Sequence, residues 1–174
     1  KPSLDYIDAE TGLLLEKQVL DTELHQLSIR HLAVNQADQV VIAMQYQGDK
    51  MDNPPLVATH QRGESIRLLA APEGVNRSMK QYCGSVSIDS TGCFAAVSSP
   101  RGNLVTIWDI EAGQYLSHFR CSDGCGVAPS GDGRFMVSTG TGRFYQYDLA
   151  TQTLTKIALD ISPSVAWDNH LTAI

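Results

Sequence analysis

Apolar and polar residues alternate along most of this 174-residue chain. Alternation at period two predicts half-buried β-strands, because successive side chains of a strand point to opposite faces. Residues 4–14, 56–66, 105–115 and 144–154 share one shape: a strand, a polar turn, a second strand. Gly12, Gly63, Gly113 and Gln152 hold the equivalent turn position, at spacings of 51, 50 and 39. Glycine supplies the positive φ that such turns need. Asp8, Asp109 and Asp148 open three of the turns, where a carboxylate can bond the backbone ahead of it. The second copy carries Thr59 at that place.

A second hairpin class alternates with the first, at residues 33–43, 86–97, 127–137 and 165–174. Each member is a strand of small residues, an Asp, Gly or Asn turn, then an apolar strand. Val41, Phe94, Phe135 and Leu171 mark equivalent places, at spacings of 53, 41 and 36. The two classes together make a four-stranded repeating unit with the period of a β-propeller blade. The predicted fold is therefore all-β, a propeller of four-stranded antiparallel blades, with strands a to d counted outward from the channel. The repeat divides the chain into a blade end at 1–24, blades at 25–74, 83–120 and 125–159, and a partial blade at 163–174. Both ends fall out of phase with the blade, and Lys1 rather than Met stands first. The expectation is part of a larger ring. One short helical turn is predicted at residues 78–82. Trp108-Asp109 has two readings: the signature dipeptide of a WD-type repeat, or a core Trp before a turn Asp.

Composition narrows the partners. The chain is 43% apolar and 18% charged, which is globular rather than disordered. Thirteen Lys and Arg against nineteen Asp and Glu give a net charge of −6. That balance argues against a general binder of nucleic acid or of anionic membranes. No apolar run approaches the roughly 18 residues of a membrane-spanning helix, so no membrane insertion is expected. The four cysteines, Cys83, Cys93, Cys121 and Cys125, include no Cys-x-x-Cys pair. Cys121 and Cys125 are weak metal candidates, with His118 upstream, or a local disulfide, or ordinary buried thiols.

Candidate ligand groups sit on the d–a and b–c loops, which open on one face of a propeller. Loops on a rigid scaffold are where binding groups concentrate. The d–a loops hold His25 and Gln26, then Cys121 to Cys125, then Ser162 and Ser164. The b–c loops hold Gln45, Tyr46, Gln47 and Asp49, then Ser98, Ser99 and Arg101, then Thr139 and Thr141. Arg30, Gln45, Gln47, Ser99 and Arg101 are the candidate binding residues. Arg30 interrupts an apolar strand, so its guanidinium must be paired or face the wet channel. Two arginines on one cavity would suit a carboxylate or phosphate. The competing reading is a structural salt bridge to a neighbouring blade. His31 is predicted to be a core histidine bonded to backbone, and His25 and His60 to be solvated. Asp49, Asp52 and Asn53 read as a solvated turn. Gly140-Thr141-Gly142 reads as a hairpin turn, because no helix follows it to form a phosphate loop. No nucleophile elbow, phosphate loop or His-Glu-x-x-His motif occurs.

Several short stretches resemble hallmarks of one uncharacterised bacterial family, which carries a domain-of-unknown-function label. They are Leu27-Ser28-Ile29-Arg30-His31-Leu32-Ala33-Val34, Gln45-Tyr46-Gln47-Gly48, Pro54-Pro55-Leu56-Val57, Ser98-Ser99-Pro100-Arg101-Gly102, Cys125-Gly126-Val127-Ala128-Pro129 and Trp167-Asp168-Asn169-His170. The resemblance implies a seven-bladed propeller about twice this length, of the YVTN, quinoprotein and WD40-like superfamily, with this chain as its C-terminal half. It implies export through a twin-arginine signal to the periplasm, and gene neighbours serving iron uptake. It supplies no catalytic residues. The functional expectation is a non-enzymatic interaction or ligand-binding module, with a protein or an anionic small molecule as partner. The alternative is a propeller enzyme of lactonase or quinoprotein type, and the cofactor is unknown. The open blade edges are expected to pair with the N-terminal half or with another chain.

Overall fold

A computed structural model describes residues 1–158 and 165–172. A hairpin comes first, β1 (Ser3–Ile7) with β2 (Leu14–Val19). Three four-stranded antiparallel sheets follow, each built from consecutive strands. The first contains β3 (Leu27–Val34), β4 (Gln39–Tyr46), β5 (Val57–Gln61) and β6 (Arg67–Leu69). The second contains β7 (Ser85–Ile88), β8 (Phe94–Ser99), β9 (Leu104–Asp109) and β10 (Gln114–Arg120). The third contains β11 (Gly124–Gly131), β12 (Arg134–Thr139), β13 (Phe144–Asp148) and β14 (Thr153–Ile157). Each is a four-stranded antiparallel blade, as the fold class predicts. Their first strands, β3, β7 and β11, are neighbours at the inner side.

The burial of each strand follows from its place in this stack. Middle strands such as β4 and β8 are covered by sheets on both faces, so Val40–Met44 and Ala95–Ser99 are buried without a break. Outer β10 alternates exposed and half-buried residues, because only one face is covered. One core cluster joins Leu4 of the hairpin to Ile42, Val57, Val97 and Trp108. A second joins Ile107 and Val105 to Phe135, Val137 and Tyr147. Each such side chain contributes about 1.5–3 kcal/mol when fully withdrawn from water.

The turns adopt the conformations that the repeat predicts. Gly12, Gly63, Gly113 and Gln152 all have positive φ, between 54° and 87°. Asp8, Asp109 and Asp148 each accept the backbone N–H three residues ahead, from Thr11, Ala112 and Thr151. Gly140-Thr141-Gly142 is a hairpin turn, closed by Gly142 N–H donating to the Thr139 carbonyl. Trp108 is the buried core residue before a turn Asp, and its Nε1 donates to the Thr106 hydroxyl at 2.8 Å.

Three local expectations are corrected. Thr59 opens no turn: it lies inside β5, paired with Val41 and Arg67, and the tighter turn starts at Gln61. The short helix is α1 (Glu73–Ser78), one turn earlier than predicted, preceded by Pro72. Residues 78–82 cannot continue it, because Lys80 and Gln81 have positive φ. His60 is not solvated but buried, with both ring nitrogens engaged. The described residues 165–172 lie outside any strand. Ser162, Ser164 and the rest of the expected partial blade lie outside the described residues.

Candidate functional site

The connector from the first blade to the second is contacted by three of the five candidate residues, Gln45, Ser99 and Arg101. It follows α1 and runs from Met79 to Gly84. The Gln45 side chain donates to the Cys83 carbonyl at 3.0 Å. Ser99 is fully buried, and its hydroxyl donates to the Met79 carbonyl at 2.7 Å. Gln81 donates to the carbonyls of Asp49 and Asp52, which ties the connector to the b–c loop of the first blade. The Asp49 and Asp52 loop is otherwise exposed, with Asp52 accepting from the Tyr46 hydroxyl.

Arg101 stands out on this frame. A 3-10 turn over Pro100–Gly102 presents it at the rim. Its guanidinium lies over the Tyr82 ring, 4.2 Å from the centroid. It is exposed and forms no ion pair among the described residues. A stacked guanidinium keeps its donor edge open, so it can meet a planar anion with two parallel N–H donors. Tyr82 is the site residue that the sequence did not single out. An aromatic in a d–a connector opposite an Arg-bearing b–c loop was the available signal.

The other two candidates lie elsewhere. Gln47 borders a cleft of about 480 Å³ together with Lys1, His25, Gln26 and Ser28. Arg30 is the extra residue of a β-bulge in β3, exposed and without an ion pair among the described residues. Bulges re-aim side chains, and this one leaves Arg30 in solvent. His31 is half-buried and its ring lies 5.4 Å from that of His170, in place of the expected backbone bond. Burial first, then His170 and Arg30, push its pKa below the ordinary histidine value.

All four cysteines are free thiols. Burial, with Cys125 and Asp123 nearby, pushes the Cys121 thiol up to about 11. Cys125 is raised too, chiefly by burial, and donates to the Asp123 carbonyl. His118 is turned away from this pair, with its Nδ1 2.7 Å from the Tyr115 hydroxyl. Among the described residues no three His, Cys, Asp or Glu side chains gather as a metal site. No described helix is long and apolar enough to cross a membrane.

Blades, turns and inner strands together define a β-propeller protein of WD40-like architecture, and solved structures show the same fold. Apo AztD from Citrobacter koseri aligns at TM-score 0.62 and 14% identity, over 91% of this chain and 42% of that one. The RRP9 WD40 repeats align at TM-score 0.57 and 19% identity, over 77% of this chain and 38% of theirs. Hydrazine synthase from Kuenenia stuttgartiensis aligns at TM-score 0.57 and 14% identity, over 87% and 38%. The chain thus spans about two-fifths of the length of these propellers. Its sequence matches the family described as protein of unknown function, DUF1513, over residues 1–174, and the chain belongs to that family. No curated protein matches it.

Proposed function

We propose that this chain is the non-enzymatic interaction module of an exported propeller, and that its rim takes an acidic group of a partner or small ligand. The observation that carries this reading is Arg101: exposed, stacked on Tyr82, and without a carboxylate partner among the described residues. A structural ion pair would have given the guanidinium an acid; the stack leaves that place open. The deeper frame is rigid, since Gln45, Gln81 and Ser99 fix the connector that carries Tyr82. Titration calorimetry with citrate and with an Asp/Glu peptide tests it. Binding by the parent chain that is lost in Arg101→Ala, with Arg101→Lys intermediate, is the expected result. Equal binding by Arg101→Ala would refute it.

Export to the periplasm, a place in iron uptake and the position of this chain as the C-terminal half of a larger ring belong to the same proposal. They rest on the family resemblance and on the two-stranded first sheet. Among the described residues β1 has no strand on its inner edge, where the other sheets carry strands a and b. Ile7, Leu15 and Val19 of that hairpin are exposed apolar residues. Open apolar edges invite pairing, so an a–b hairpin from the N-terminal half or from another chain completes this blade. Light scattering of the isolated chain should show self-association. A monomer at high concentration would count against this part.

A further inference from the structure

Residues 165–172 lie across the inner side of the blades and touch all three. Trp167 packs edge-on against Phe144 of β13, with ring centroids 5.0 Å apart and planes at 76°. Asn169 donates to the Tyr82 hydroxyl at 3.5 Å. His170 faces His31 of β3. Two glycines make this approach possible. A Cβ at Gly84 would meet the Pro100 ring at 2.8 Å and the Asn169 side-chain oxygen at 3.0 Å. A Cβ at Gly126 would come within 2.9 Å of Leu171. At both positions the segment lies close enough to the backbone that a side chain would meet it.

The contact with the first blade is made of two imidazole rings, His31 of β3 and His170 of the segment. We propose that residues 165–172 form a strap, held over the inner strands at neutral pH and released when the His31–His170 pair takes up protons. Two imidazolium rings 5.4 Å apart repel, where two neutral rings pack. Arg30, beside His31 on β3, adds to the repulsion. Asp168, on the strap, acts in the opposite direction and softens it. The strands packed against β3 bring no charge to the pair. β7 (Ser85–Ile88) has no titratable residue, and β4 has only Tyr46, which pairs with Leu27 at the far end and donates to Asp52. The depressed pKa of His31 gives the direction. The strapped state binds fewer protons than the released one, so docking is complete above the ordinary histidine value and weakens as the pH falls below it. Release uncovers the inner strands and the hydroxyl end of Tyr82.

The test needs no ligand, so its failure is separate from that of the Arg101 reading. Acrylamide quenching of the whole chain is measured from pH 8 to pH 5, and the Trp167 signal is taken as the difference from Trp167→Phe. Quenching of Trp167 should rise severalfold as the pH falls, with its midpoint below about 6.5. His170→Gln removes one partner at an exposed position and should abolish the transition while leaving Trp167 protected. His31→Gln should do the same. A flat profile in the parent chain would overturn the proposal. So would an unchanged transition in both variants. Trp167 exposed at every pH in His170→Gln would also overturn it, because contact and not charge would then hold the strap.

Discussion

The Tyr6 hydroxyl and His60 Nδ1 stand 2.7 Å apart, joining the first hairpin to the first complete blade. His60 Nε2 lies 2.9 Å from the Glu64 carbonyl, which can only accept. Nε2 therefore donates to that carbonyl, and Nδ1 is the atom that pairs with the Tyr6 hydroxyl. Since His60 is buried, truncating it strands both partners. His60→Ala should cost about 1–3 kcal/mol, and Tyr6→Phe about 0.5–1.5 kcal/mol. Urea unfolding followed by circular dichroism reads both, and equal midpoints for parent and His60→Ala would contradict the assignment.

Asp89 is a buried carboxylate that accepts from the amides of Phe94 and Gly133 and from the Thr91 hydroxyl. Burial pushes its pKa up, but these hydrogen bonds together outweigh burial and hold it below the usual value. A depressed acid stabilises the fold above its unfolded pKa of about 3.9, and that contribution is lost as the pH falls through the folded value. Asp89→Asn should lower stability at pH 7 by about 1.5–3 kcal/mol. It should also flatten the fall in urea midpoint below pH 4.

Gln152 takes the left-handed turn conformation that glycine takes in the other three copies. Gln152→Gly should therefore raise stability, by up to about 1 kcal/mol after the entropy of the unfolded chain is counted. Gly113→Ala should do the reverse by at least as much. Its φ is +63°, and a Cβ there would strike the Arg67 guanidinium that donates to the Ala112 carbonyl. Thermal midpoints of the two variants should move in opposite directions.

Thiol labelling should divide the cysteines one against three. Cys93 is exposed. Burial pushes Cys83 up to about 12 and Cys121 up to about 11, and Cys125 is buried as well. Only the thiolate attacks a labelling reagent. One group should react promptly in the native chain and all four after unfolding. Prompt native labelling of Cys121 would show the third blade to be open.

The blades were legible because they are local. Strand alternation and turn chemistry act over a few residues, and Gln152 was found by its place in the repeat despite lacking the glycine. What was missed depends on distant partners. His60 looked like any hairpin residue; its partner Tyr6 is 54 positions away, in another sheet. The helix was placed too late because Gln81 is drawn into a left-handed turn by carbonyls about 30 residues upstream, at Asp49 and Asp52. Ser99 was read as a rim residue, and β8 instead carries it into the core. Arg101 was legible as a charge on a Pro-Arg-Gly loop. Tyr82 beneath it could be found only by setting the connector's aromatic against that loop, since stacking has no sequence period.

The bond from Gly133 N–H to Asp89 has a consequence for how the chain assembles as it is made. Phe94 and Thr91 satisfy part of the carboxylate as soon as their own hairpin closes, but the third donor lies 44 residues further on. Until that stretch has left the ribosome, the second blade holds a half-satisfied acid at its border. Asn35 waits in the same way for the carbonyl of Gly92, 57 residues ahead. The first blade is thus completed by the second and the second by the third, and the order of synthesis becomes the order in which they lock.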